Sequence, residues 1–203
     1  SACGHITPAW SPDGGRIAFG GWTLGSLGTG IYVMNTDGSG LTRLTEGLHD
    51  AYPAWSPDGR MIAFNHTYEP WEGDLFTQVF LVNADGTGMV PLSGAGGVQF
   101  AESGPSWSPE GRVVYWSYGA GIAIDGGITI YRGTTDPYGN GDVGFYSTPD
   151  WSPDGSKVVF ARGAPGDRRL AIVNASGGGP PQDLGANPSG YEDFEPAWIG
   201  GGQ

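Results

Sequence analysis

The phrase TPAWSPDGGRIAF at residues 7–19 recurs as YPAWSPDGRMIAF at 52–64, GPSWSPEGRVVYW at 104–116 and TPDWSPDGSKVVF at 148–160, and begins again as EPAWIGGGQ at 195–203. Its tryptophans, Trp10, Trp55, Trp107, Trp151 and Trp198, are spaced by 45, 52, 44 and 47 residues. A second phrase keeps step with the first: GIYVMNTDGSGLTRLT at 30–45, VFLVNADGTGMVPLS at 79–93 and, more loosely, LAIVNASGGGPPQDL at 170–184. Two linked phrases on a period near 45 residues restrict the chain to a repeat architecture, in which each unit buries its apolar face against its neighbours.

Each repeat reads as four short strands. The stretch ending in Pro-x-Trp is the first, and Ser-Pro-Asp-Gly is a turn, because Pro fixes φ, Asp hydrogen-bonds nearby backbone and Gly supplies positive φ. The apolar run that follows is the second strand. A variable connection leads to a third, and Asn-x-Asp-Gly turns into a fourth. Four-stranded antiparallel units at this period predict an all-β propeller, with repeats at about 5–47, 48–98, 99–143 and 144–187 and an extra inner strand at 191–199. The tryptophan of each inner strand is expected to wedge between neighbouring sheets. The third repeat departs from the pattern: Glu110 replaces the turn Asp, and GITIYRG, read as its third strand, runs on without the Asn-x-Asp-Gly phrase. A short or absent fourth strand is expected there.

Composition agrees with strands and turns rather than disorder. The 39 glycines and 16 prolines fall between apolar runs, and 8 Trp, 9 Tyr and 8 Phe supply core area. The net charge of −12, from 21 acidic and 9 basic residues, disfavours nucleic acid, whose binding rests on phosphate neutralisation. Anionic lipid surfaces are disfavoured for the same reason. No run approaches the roughly 18 apolar residues of a membrane span.

The paired phrases resemble the WD40-like PD40 class of propeller repeats, found in the periplasmic translocation protein TolB and in propellers attached to prolyl-oligopeptidase-type peptidases. The resemblance runs from Thr7 to Trp198. It implies the fold and a periplasmic or extracellular location, and it implies function only weakly, because such propellers serve unrelated partners. TolB-like rings usually have six or more blades. A section of a larger propeller is therefore the favoured reading, ahead of a small closed ring or completion by another subunit.

Strand alternation places the loops entering each first strand on one face, together with the second-to-third-strand connections. On that face His49, Asp50, Glu102, Tyr146 and Asp193 are candidate channel-mouth residues. Asp50, Glu102 and Asp193 are the candidate metal ligands, a carboxylate set suited to a hard cation such as Ca²⁺; the competing reading is that these carboxylates bond the backbone of neighbouring loops. No other cofactor is expected. The connections carry Trp22, Tyr68, Trp71, Trp116 and Tyr118, aromatics of the kind recognition surfaces use. The setting SACG resembles a bacterial lipoprotein processing site, which makes Cys3 a candidate lipid anchor, although an incidental cysteine is the plainer reading.

No Gly-x-Ser-x-Gly elbow, His-Glu-x-x-His motif or cysteine–histidine pattern is present. The sequence reading is therefore a non-catalytic binding module that presents an acidic, aromatic-bearing face to a protein partner. Two alternatives stay open. One is a carbohydrate-binding or carbohydrate-active propeller with a carboxylate-bound cation; the other is a structural protomer that self-assembles by completing blades between subunits.

Overall fold

The computed structural model describes residues 7–21, 29–47, 49–71, 74–92, 102–117, 121–125, 128–131, 148–163, 169–186 and 196–198. The chain divides into two units, Ser1–Ala101 and Glu102–Gln203. All of the regular structure in the described residues is strand, so no helix there is long and apolar enough to cross a membrane.

The first unit holds two antiparallel sheets, each ordered as its strands follow in sequence. One comprises β1 (Pro8–Trp10), β2 (Arg16–Gly21), β3 (Gly30–Asn35) and β4 (Thr42–Arg43). The other comprises β5 (Ala51–Trp55), β6 (Met61–Trp71), β7 (Asp74–Asn83) and β8 (Val90–Pro91). The second unit repeats the plan. Its sheets are β9 (Glu102–Trp107), β10 (Val113–Ser117), β11 (Gly121–Ile124) and β12 (Ile128–Tyr131), then β13 (Asp150–Trp151), β14 (Lys157–Arg162), β15 (Arg169–Asn174) and β16 (Gln182–Ala186).

Second strands such as β10, with four consecutive buried residues, read as unbroken apolar runs because both faces of their sheet are covered. In the first unit Ala18, Ile31 and Val33 of one sheet pack with Trp55, Ile62, Phe64 and Val82 of the next. The Ser-Pro-Asp-Gly turns repeat closely: Gly14, Gly59 and Gly155 have φ of 68°, 68° and 69°, the left-handed region where a Cβ is disfavoured. In each, the serine hydroxyl accepts the N–H that opens the second strand, from Arg16, Met61 and Lys157 at 2.9 Å.

Two sequence expectations are corrected here. The third repeat has a fourth strand: GIAI, assigned to a loop, is the third strand β11, and the expected third strand supplies β12, the outermost. Only residues 118–120 separate β10 from β11, so the strand was hidden inside what looked like a long connection. Likewise NHTYEPWEGDLFTQ at 65–78 is no loop, because β6 and β7 run through it as one extended hairpin in which Thr67 faces Thr77 and Tyr68 faces Phe76. Alternation of side chains along both strands accounts for that pairing.

The inner-strand tryptophans differ in setting. Trp55 and Trp151 are 7% and 4% exposed, whereas Trp10 is 64% exposed. The wedge expected of every inner-strand tryptophan is formed at Trp55 and Trp151, within each unit.

Candidate functional site

Asp50 lies in the segment between β4 and β5 and is fully buried. Its carboxylate accepts a hydrogen bond from the Thr45 hydroxyl, one from the Gly47 N–H at 3.1 Å, and one from His66 Nδ1 at 2.7 Å. Gly47 belongs to this arrangement by shape, since a Cβ there would stand 1.8 Å from Asp50 Oδ1. Thr45 turns back as well, its Oγ1 accepting the Ile31 N–H at 2.9 Å. Asp50 thus joins the exit of the first sheet to β6 of the second. Both oxygens are engaged internally, so this carboxylate does not stand open to a ligand at a channel mouth. The competing reading has these carboxylates bonding the backbone of neighbouring loops; at Asp50 one donor is a backbone N–H, that of Gly47 in its own β4–β5 segment, and the other two are the side chains of Thr45 and His66.

The other mouth candidates are placed unevenly. His49 is half-buried, and its carbonyl accepts the Thr67 hydroxyl at 3.5 Å. Glu102 opens β9 opposite Ser117, while its side chain lies outside the described residues, as do Tyr146 and Asp193 altogether. Among the described residues no three His, Cys, Asp or Glu side chains gather to hold a metal ion. The Ca²⁺ trio therefore stays a sequence expectation, with one member already committed elsewhere.

Of the loop aromatics, Tyr68 and Trp116 have described side chains. Trp116 is 3% exposed within β10, not on a loop, because its strand is covered on both faces. Trp71 ends β6 opposite Asp74 with its side chain outside the described residues, and Trp22, Tyr118 and Cys3 lie outside them entirely.

Tyr68 belongs to a strip that the sequence reading missed. His66 stacks on Tyr68 at 5.6 Å, Tyr68 stacks on Phe76 at 5.9 Å, and Phe80 meets His66 edge-on at 4.6 Å. The Tyr68 hydroxyl donates to Gln78 Oε1 at 2.9 Å, and Glu69 beside it is exposed. The signal was available: His66 and Tyr68 stand two apart, the spacing that puts strand residues on one face. With Asp50 accepting from Nδ1, the imidazole is fixed in orientation at the root of the strip.

At the opposite end of these strands the acidic turns are self-satisfied. Asp37 Oδ1 accepts the Ser39 N–H at 2.9 Å and the Ser39 hydroxyl at 2.6 Å, and Asp85 treats Thr87 in the same way at 2.9 and 2.7 Å. Those bonds, the side-chain hydroxyl's first, hold both carboxyls below the usual range. Asp154 is lowered furthest, to about 2, by Ser152 and then by Ser156. This is turn chemistry, in which each aspartate bonds the residue two positions on.

A family model described as the TolB beta propeller domain, PD40, matches residues 2–198. The chain belongs to this family. No curated protein matches the sequence. Among solved structures, a protein described as TolB from Agrobacterium tumefaciens is similar with a TM-score of 0.68 and 22% identity, over 89% of this chain and 65% of that one. TolB from Acinetobacter baumannii is similar with a TM-score of 0.59 and 20% identity, over 90% of this chain and 44% of that one. The PD40 chain thus spans less than two thirds of the length of either relative. A puromycin-hydrolyzing peptidase from Mycobacterium tuberculosis is also similar, with a TM-score of 0.55 and 19% identity, over 91% of this chain and 29% of that one.

This last likeness, shared with a puromycin hydrolase and prolyl endopeptidases, overturns one inference from the sequence. Absent catalytic motifs had led to a chain that is not an enzyme. A similar fold occurs within chains described as hydrolases, so a propeller without its own catalytic motif does not separate an enzyme from a binding module.

Proposed function

We propose that this PD40 chain is a binding segment of an extracytoplasmic propeller, and that its β6–β7 hairpin presents an aromatic and acidic edge to a protein partner with a basic surface. The observation that carries the reading is the hairpin itself. β6 and β7 are 11 and 10 residues long, where β2 and β3 have 6 each, and a four-stranded sheet does not need that extra length. The added residues hold Tyr68 in a stack with a polar tip, beside exposed Glu69. Aromatic anchors with satisfied polar ends on a rigid element suit protein recognition. A net charge of −12 would speed encounter with a basic partner. Membership of the TolB family supports the extracytoplasmic location.

A photo-crosslinking amino acid at position 69 tests this directly, with the same group at Asp85, at the far end of β7, as the control. Incubation with an envelope extract is expected to give a discrete adduct from position 69, lost at high salt and weaker with Tyr68→Ala. Equal labelling from both positions, or none from position 69, would sink the proposal.

A further inference from the structure

In three of the sheets the outer strand follows the third strand back almost to its start. β12 pairs β11 from Ile122 to Ile124, and β16 reaches the first residue of β15, with Ala186 opposite Arg169. Along β3, β4 pairs Tyr32 and Val33, while the Ile31 carbonyl accepts the Leu44 N–H and the Ile31 N–H donates to Thr45 Oγ1. β7 departs from this plan. β8 pairs Phe80 and Leu81, the Leu92 N–H reaches the Val79 carbonyl at 2.9 Å, and residues 74–78 run on beyond that cover.

The edge left open has a defined direction. Val79 turns its carbonyl to the β8 side, so Thr77, two residues earlier in unbroken register with β6, turns its N–H and C=O the same way. The Thr67 and Thr77 hydroxyls meet at 3.0 Å, as fits a pair that exchanges no backbone bonds and so stands closest. Among the described residues neither backbone group of Thr77 has a partner. Phe76 and Gln78 turn theirs toward β6.

Open strand edges are commonly blunted by Pro or Lys. β8 carries Pro91, whereas residues 74–78, DLFTQ, hold no Pro, Lys or Arg. Charge selects what such an edge accepts. From residue 61 to residue 111 the chain has no Lys or Arg, and the hairpin sequence carries Glu69, Glu72 and Asp74. A second copy would bring the same acids to the same edge, and like charges set opposite one another oppose pairing.

We propose that the β7 edge at Thr77 receives an extended basic segment of a protein partner as an added strand. The inference rests on the hairpin being a partner surface, and it states how the partner is held. Backbone bonds to Thr77 supply affinity, and alternate side chains of the added strand fall beside Phe76 and Gln78 on one face and beside Thr77 on the other.

The test uses the whole chain and a short synthetic peptide of alternating lysine and valine, followed by fluorescence polarisation and amide hydrogen exchange. Binding is expected to slow exchange at the Thr77 amide and to leave Phe76 and Gln78 unchanged. Methylating the peptide nitrogens along its pairing edge keeps every charge and should weaken binding about tenfold or more, as should replacing its lysines by glutamates. Thr77→Pro removes the outward N–H and should weaken binding about fivefold or more, whereas Thr77→Val keeps that N–H and should bind as the wild type does. Equal binding of the methylated peptide, or protection spread evenly over residues 76–78, would overturn strand addition. A crosslinked adduct from position 69 that forms equally in Thr77→Pro would keep the hairpin as a partner surface and overturn strand addition alone.

Discussion

The junction between β1 and β5 in the first unit and the junction between β9 and β13 in the second are built from one phrase, and they solve the same polar problem differently. In both, an indole N–H finds the carbonyl of the preceding inner strand and an arginine covers the ring, Arg16 at 4.6 Å and Arg112 at 5.9 Å. The carboxylates differ. Asp50 stands five residues before Trp55, wholly buried among Thr45, Gly47 and His66. Asp150 stands directly before Trp151, half-buried, and accepts the Ser106 hydroxyl at 2.6 Å and the Trp198 N–H at 3.0 Å. The tryptophan is fixed by the repeat, whereas the acid is placed by whatever loop or neighbour each junction must satisfy.

The most severe way to break this comparison is to remove the acids. Asp50→Ala strands a hydroxyl, an N–H and an imidazole in a buried space, and about 3–5 kcal/mol of stability should be lost from the first unit. Asp150→Ala frees partners nearer to solvent, so about 1–2 kcal/mol is expected. Denaturant unfolding of the two variants gives the ranking directly. Equal losses would mean that depth of burial does not distinguish the junctions.

The tryptophans sharpen it at a smaller scale. Trp55→Phe keeps most of the ring and deletes one donor, leaving the Ala9 carbonyl unpaired at a cost of about 1 kcal/mol. Trp151→Phe should cost the same, because its bond to Ser106 has the same length. Trp10→Phe should fall within about 0.5 kcal/mol of wild type, since the ring is mostly in solvent. Thermal melts of the three variants at one protein concentration check the order.

These differences explain what was legible in the sequence. The sheets could be read because the Pro-x-Trp-Ser-Pro-Asp-Gly phrase carries its own turn chemistry and period. The third sheet was misread because GIAI and ITIY are both apolar runs beside Gly-rich text, and strand order between two such runs is a tertiary outcome. Tyr68 was singled out, but His66, Phe76, Phe80 and Gln78 were not, because a hairpin spanning 61–83 resembles a loop until its two strands are paired. The fate of Asp50 was likewise invisible: its partner His66 lies 16 residues on, in another strand.

Acid acts on the turns. Asp154, with its folded pKa lowered to about 2 from the ordinary 3.8, stabilises the folded chain fully above the unfolded value. That contribution is lost as pH falls through the folded value, so the relevant window runs from about pH 4 down to 2. Carboxyl NMR titration should show Asp154 titrating at the bottom of that window. In Asp154→Asn the fall of melting temperature over the same range should be shallower. A midpoint for Asp154 near 4 would remove the turn carboxylates from the account of stability.

The smallest effect belongs to the third turn. In three repeats the inner tryptophan pairs with the seventh residue after it, as Trp10 with Ile17, Trp55 with Ile62 and Trp151 with Val158. In the third, Trp107 pairs with Val113, so the turn is one residue shorter. Glu110 is exposed there and forms no hydrogen bond among the described residues, whereas Asp13 accepts both the Ser11 hydroxyl and the Gly15 N–H. Another acid stabilises this hairpin: Asp125, with φ of 38°, accepts the Val113 N–H and the Arg112 Nε–H, both at 2.8 Å. Glu110→Asp alone should therefore change stability by less than about 0.5 kcal/mol, because restoring the residue does not restore the turn length. Inserting a glycine after Gly111 together with Glu110→Asp recreates the spacing of the other turns, and only this combined change should give a serine–aspartate bond and a lowered carboxyl pKa at position 110. If the single substitution stabilises the chain as much as the combined one, residue type rather than turn length sets the difference between this repeat and the rest.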